Sequence, residues 1–191
     1  MRKVTLATGN LHKVKEVAQI LSEYSIEVEH VDAKVIEIQS ETLEEVAKTS
    51  VVMAAEKIRG SVIVEDSGLF IESLKSFPGV YSSYIQKTIG NKGVLKLMEG
   101  VENRGAIFKS VVAYCQPGQN ALTFTGEVHG KIANRERGLI WGFDPIFIPE
   151  DGGGRTFAEM GSAEKNKISH RRKALEKFAN WFRQGLQNQV P

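Results

Sequence analysis

The sequence predicts an α/β fold, a mixed β-sheet flanked by helices, and three observations carry that reading. Short strand-like runs alternate with amphipathic helical stretches through the first third of the chain. The continuous apolar run Val62-Ile63-Val64 reads as a strand buried on both faces. Two β-like runs, Ala106 to Cys115 and Leu122 to Val128, are separated only by the hairpin loop Pro117-Gly118-Gln119-Asn120. Hairpin strands pair antiparallel, so the sheet must be mixed.

The elements follow in order. Val4-Thr5-Leu6-Ala7 is a short strand, Thr8-Gly9-Asn10 a turn, and the segment from about Leu11 to Leu21 a helix with the apolar stripe Val14, Val17, Ala18, Leu21. Ile26, Val28 and His30 alternate with Glu27 and Glu29, as in a half-exposed strand. Thr42 and Glu45 form a capping-box pattern that opens a helix carrying Leu43, Val46, Ala47, Ala54 and Ile58 and stopping near Gly60. Val62 to Val64 then delivers Glu65-Asp66-Ser67-Gly68 at its carboxyl end, where open α/β sheets place their sites. After the turn Phe77-Pro78-Gly79 comes a helical stretch ending at Gly100 and the hairpin runs. Trp141 to Ile148 reads as another strand and Asp151-Gly152-Gly153-Gly154 as a loop. A last helix from about Ser169 to Leu186 carries Ala174, Leu175, Phe178 and Phe182 on one face. Arg171, Arg172, Lys173 and Lys177 lie on the other.

The chain has 191 residues, with 25 Lys and Arg against 23 Asp and Glu, a net charge of +2. That near-balance argues against a polyanion-binding protein, which needs clustered cations. A hydrophobic fraction of 41% excludes disorder and collagen, and the length suffices for one full core in one domain or in two closely joined lobes. The single cysteine, Cys115, rules out an intrachain disulfide and suits a reducing compartment. The start turns polar at Thr8, unlike a signal peptide, and no apolar run approaches the roughly 18 residues of a membrane span. The chain reads as a cytoplasmic protein with no membrane association and no linker or repeat.

Three groups of residues carry chemistry. Thr8, Gly9, Asn10, Leu11, His12 and Lys13 lie between a strand and a helix start, where free N–H groups and the macrodipole favour an anion. Asn10 can equally be a plain helix cap. Asp66 at a sheet end needs a cation, and Mg²⁺ is usually held by one or two carboxylates plus substrate phosphates. Glu37 is the candidate second ligand, while a turn role for Asp66 stays open. Trp141, Gly142, Phe143 and Asp144 set a carboxylate among aromatic rings, and Lys165, Ser169, His170 and Arg171 add donors. Together these supply a flat ring for stacking and polar groups for a base edge, although the aromatics also suit a core.

The motifs T-x-N-x-x-K at Thr8 to Lys13, E-D-S-G-L at Glu65 to Leu69, F-P-G-V-Y-S at Phe77 to Ser82, G-F-D-P-I-F at Gly142 to Phe147 and S-H-R at Ser169 to Arg171 occur in that order. Over nearly the whole chain this resembles the inosine/xanthosine triphosphate pyrophosphatase family of non-canonical purine nucleotide hydrolases. The resemblance implies one nucleotide pyrophosphatase domain over 1–191, with two lobes and a central substrate cleft, acting as a homodimer. It further implies Mg²⁺-dependent hydrolysis of ITP, dITP and XTP to the monophosphate and pyrophosphate. By the same resemblance Thr8 to Lys13 grip the phosphates, Glu37 and Asp66 approach the metal, and Asp66 is the usual candidate for proton acceptor; the residues leave open that Asp66 instead binds the metal directly and orients a metal-bound water. Ser67, Trp141, Gly142, Phe143, Asp144, Lys165, His170 and Arg171 correspond to nucleotide-contacting positions. Many members carry lysines near Thr49 or Ser50 and near Ser83. This chain has neither, which leaves Lys48 or Lys87 as substitutes.

Two other readings remain open on the residues. One is a Maf-like nucleotide pyrophosphatase acting on modified or pyrimidine nucleotides. The other is a non-catalytic nucleotide- or RNA-binding module, which the basic last helix favours. Paired acidic positions at the presumed centre count against the module, because carboxylates repel phosphates unless a metal intervenes, and no nucleic-acid partner is expected.

Overall fold

A computed structural model describes residues 2–35 and 38–184. Its strands are β1 (Arg2–Ala7), β2 (Ile26–Val31), β3 (Val62–Ile71), β4 (Gly105–Cys115), β5 (Leu122–Ile132) and β6 (Phe147–Pro149). They form one six-stranded sheet in the order β2-β1-β3-β4-β5-β6. β1 runs parallel to β2 and β3, whereas β5 and β6 are antiparallel, so the sheet is mixed as predicted. The helices are α1 (Leu11–Ser22), α2 (Leu43–Ile58), α3 (Ser82–Thr88), α4 (Gly90–Leu97), α5 (Phe157–Ile168) and α6 (His170–Gln184). Among the described residues no helix is long and apolar enough to cross a membrane.

The chain forms two compact units. One comprises 1–66, 110–126 and 171–191, the other 67–109 and 127–170. In the first, Val17, Ile20 and Leu21 of α1 pack with Leu6, Ile63 and Val112 of the strands and with Leu175 and Phe178 of α6. Each of these side chains is withdrawn from water, and burying one such side chain contributes about 1.5–3 kcal/mol. The second unit has its own core, in which Leu69, Ile71 and Phe108 meet Val94 and Met98 from the α4 region, Phe147 of β6 and Phe157 of α5.

The structure departs from the sequence reading in five places. β3 continues to Ile71, so Glu65 and Asp66 lie within a long strand rather than at the end of a short one. The polar quartet 65–68 masks a strand that regains its apolar side chains at Leu69 and Ile71. The segment from Trp141 is not a strand until Phe147, because Gly142 takes φ +72 and Pro145 lacks an N–H to give a ladder. The helical stretch before Gly100 is two short helices, α3 and α4. Helix α5 was not foreseen, although Thr156 and Glu159 form a complete capping box at its start. At α2 the box is half made: Thr42 Oγ1 accepts from the Glu45 N–H, while the Glu45 carboxylate takes the Ser40 hydroxyl.

Candidate active site

In the first unit the turn between β1 and α1 is held by its own side chains. Asn10 Oδ1 accepts from the His12 and Lys13 N–H groups at 3.0 and 3.3 Å, and Thr8 Oγ1 accepts from the Asn10 N–H at 3.2 Å. His30 Nε2 lies 2.7 Å from the Thr8 carbonyl oxygen, which only accepts, so His30 donates there. Asn10 is thus a helix cap, and the cap takes two of the N–H groups that a bare terminus would offer an anion. Gly9, Leu11 and His12 are exposed.

The Lys13 ammonium turns toward β3. It lies 2.9 Å from the Glu65 carbonyl oxygen, 3.0 Å from Glu65 Oε2 and 3.9 Å from Asp66 Oδ1. On its other oxygen Glu65 accepts from Ser110 Oγ at 2.6 Å and faces Arg171 Nε at 3.2 Å. Arg171 also donates from Nη1 to Glu16 of α1. The Arg171 side chain is 2% exposed. Burial draws its pKa down, but the charges of Glu65 and Glu16 raise it further, so the guanidinium stays protonated.

Three carboxylates, Glu16, Glu65 and Asp66, therefore face two cations, Lys13 and Arg171. Of the three, Asp66 is the carboxylate most open to water, with 31% of its side chain exposed. A water-facing carboxylate, with its hard oxygen donors, fits Mg²⁺, which completes its shell with phosphate oxygens and water. Among the described residues no group of three or more His, Cys, Asp or Glu side chains could hold a metal by itself. Glu37, the expected second ligand, lies outside the described residues.

The second unit holds the other predicted group. Lys165 Nζ donates to Asp144 Oδ2 at 2.6 Å, with both side chains almost sealed from water. The same ammonium sits 5.5 Å from the Trp141 ring centre and 5.8 Å from that of Phe157, within cation–π range. His170 is buried and stacks on Phe108, ring centres 4.1 Å apart and planes 4° from parallel. Phe143 belongs to the apolar core of this unit. Ser67 is half-buried, and Gly68 beside it admits no side chain, since a Cβ there would stand 2.4 Å from the Gly79 carbonyl oxygen.

The structure thus gathers Thr8, Asn10, Lys13, Asp66 and Arg171 in one unit and Trp141, Asp144, Lys165 and His170 in the other. Sequence reasoning missed Glu16 and Ser110 and left Glu65 without a role. Glu16 had left a signal: it lies four residues before the fully buried Ile20, on the same face of α1, where a carboxylate requires a cation. Ser110, in a mostly apolar β4, left none.

The chain is similar to known proteins over nearly its whole length. The Ham1 family model matches residues 4–181. The dITP/XTP pyrophosphatase of Methanopyrus kandleri is 57% identical over 185 residues, covering 96% of this chain and 98% of that protein. The dITP/XTP pyrophosphatase of Thermococcus kodakarensis is 50% identical over 185 residues, with 96% and 99% covered. Among solved structures, a HAM1 protein from Coxiella burnetii superposes with a TM-score of 0.83 at 31% identity, covering 96% of this chain and all of that one. The Staphylococcus aureus Ham1 protein gives the same TM-score at 27% identity, with 96% of this chain and 100% of that chain covered.

Proposed function

Because the chain belongs to the Ham1 family, we propose that it hydrolyses the non-canonical purine nucleoside triphosphates ITP, dITP and XTP to the monophosphate and pyrophosphate, with Mg²⁺, and so clears them from the nucleotide pool. The observation that carries this reading is the array of Lys13 with the buried Glu65 and Arg171 beside the more open Asp66. It presents one carboxylate to solvent while the neighbouring one is held by cations.

Attack of water on a phosphoryl group needs charge neutralisation, alignment and a proton acceptor. Thr8 to Lys13 bind the phosphates, the Thr8 hydroxyl and Lys13 supplying donors. Asp66 and Glu37 would hold Mg²⁺, which when bound would add neutralisation of the phosphate oxygens. Asp66 takes the proton of the attacking water. Arg171, committed to Glu16 and Glu65, serves by fixing the carboxylate next to Asp66.

The base falls to Ser67, Trp141, Gly142, Phe143, Asp144, Lys165 and His170. An ammonium has three N–H donors, so Lys165 can keep Asp144 and still donate to a 6-keto oxygen. Adenosine presents an amino group at that position and would leave the donor unpaired, which costs orders of magnitude in turnover. The whole described chain acts as one pyrophosphatase domain. The exposed apolar side chains of Tyr81, Tyr84 and Ile89 support closure against a second copy in a homodimer, and the lone buried Cys115 supports a reducing, cytoplasmic setting.

The test is pyrophosphate release from ITP, XTP, dITP, GTP, ATP and a pyrimidine triphosphate, with Mg²⁺ and with chelator. Metal-dependent turnover largely confined to ITP, XTP and dITP is expected. Equal turnover of ATP, or turnover of the pyrimidine alone, overturns the reading.

A further inference from the structure

Gly142 lies in the loop that begins at Trp141 and ends in the buried Asp144, and its backbone takes φ +72. A Cβ placed there would meet nothing within 4 Å, so the glycine is needed for its dihedral and not for room. Such a residue is intrinsically mobile, and something else must select one conformation. Two side chains do so. Gln86 Nε2 of α3 and Asn91 Nδ2 of α4 each donate to the Gly142 carbonyl oxygen at 3.1 Å. That fills both lone pairs of one carbonyl from two separate helices.

The arrangement carries an energetic penalty, and the penalty is informative. Gln86 Oε1 and Asn91 Oδ1 are both buried and have no hydrogen-bond partner among the described residues. Turning either amide over would set oxygen against oxygen at Gly142, so the donors must face the carbonyl and the acceptors go unpaired. A buried acceptor without a partner is destabilising, which offsets much of what the two bonds to the Gly142 carbonyl contribute. The net gain in stability from the amide pair is therefore small. What the amides provide is the direction of one peptide plane. That plane is rigid and trans, so fixing the Gly142 carbonyl also fixes the Phe143 N–H on its opposite edge. The ends of the loop are tied separately, Trp141 and Asp144 both to Lys165.

We propose that Gln86 and Asn91 are positioning residues that clamp the Gly142–Phe143 peptide and thereby pre-organise the loop that recognises the purine base. This inference rests on the assignment of the base to Trp141 and Asp144 made above. Pre-organisation lowers the ordering cost of binding, so its loss acts on substrate affinity and base choice before it acts on the chemical step.

The experiment compares wild type with Gln86→Met, Asn91→Leu and the double variant, in a Trp181→Phe background where Trp141 is the remaining tryptophan. Each substitution keeps side-chain volume and removes the unpaired acceptor together with the donor. The double variant is expected to raise KM for ITP by about tenfold and to lower the preference for ITP over ATP by a similar factor, with kcat within about threefold and the melting temperature held. Trp141 emission and anisotropy should report a looser ring. Gln86→Glu keeps the shape, loses the donor and should reproduce the KM effect of Gln86→Met if the double variant does not fold. Unchanged KM and unchanged ITP preference in an active enzyme would overturn the clamp alone. So would a fall in melting temperature in which KM and kcat move together and Trp141 stays rigid. A wild type that turns over no ITP fails the functional reading, and the clamp with it.

Discussion

Arg171 Nε lies 3.2 Å from Glu65 Oε1, with 2% and 1% of their side chains exposed. Neither charge has water to fall back on. The Arg171 guanidinium also holds Glu16, so removing it leaves two buried carboxylates short of a cation. Arg171→Met should therefore destabilise the fold by about 3–5 kcal/mol, a fall on the order of 10 °C in melting temperature for a chain of this size. Thermal denaturation followed by circular dichroism checks this. A shift of a degree or less would mean that the array contributes nothing to stability.

Asp66 stands next to Glu65 in β3 but meets different surroundings, with 31% of its side chain open and Lys13 as far as 3.9 Å from its oxygen. An amide there disturbs little packing. Asp66→Asn should keep the melting temperature of the wild type and lose turnover of ITP by about a thousandfold or more, as expected when a proton acceptor is removed. Glu65→Gln should show the reverse order of effects, with a large loss of stability first. Substantial residual activity in folded Asp66→Asn would remove the proton-acceptor role.

Gly68, two residues on, is set by space. A Cβ at this position would stand 2.4 Å from the Gly79 carbonyl oxygen and 3.1 Å from the Gly79 carbonyl carbon. Both obstacles are backbone and cannot swing aside. The Ser82 hydroxyl pins the same region, donating to the Gly79 carbonyl at 2.7 Å and accepting from the Leu69 N–H at 2.8 Å. Gly68→Ala should push these segments apart and destabilise by about 1–3 kcal/mol, typical of overpacking. Urea denaturation measures it, and an unchanged midpoint would mean that the turn yields without cost.

What could be read from the sequence follows from what each signal depends on. Helices α1 and α2 and the parallel strand β1 were legible because apolar period and caps are local properties, visible at Val17, Leu21 and Thr42. Motif residues such as Asp66 and Lys165 were legible because their residue types and order are distinctive. The buried partners were not. Ser110 reaches Glu65 across 45 positions, and Arg171 reaches Glu16 across 155, and no local pattern encodes a pairing that the sheet and α6 create. The Trp141 to Ile148 segment failed for the opposite reason: its composition suits a strand, but Gly142 and Pro145 forbid the ladder. Gln86 and Asn91 look like ordinary surface amides until their shared acceptor is seen.

Cys115 yields a prediction in pH. Its residue is 1% exposed, and its sulfur lies 3.2 Å from the carbonyl oxygens of Gln116 and Gln119, to which a thiol can donate and a thiolate cannot. Burial, and after it the charge of Glu56, raises its pKa above the ordinary thiol value. The folded chain therefore keeps its proton where the unfolded chain, with a pKa of about 8.5, releases it. Stability from this group is complete below that pH. It is lost as pH rises from the unfolded value through the folded one, with a slope of at most about 1.4 kcal/mol per pH unit. A Cys115→Ala variant lacks the term, so its stability deficit relative to wild type should shrink as pH rises through this window, as read by urea denaturation at each pH. In the same window an alkylating reagent should modify unfolded chain quickly and folded chain slowly. Labelling of the folded protein at the unfolded rate would show an accessible thiolate and contradict the buried, hydrogen-bonded thiol.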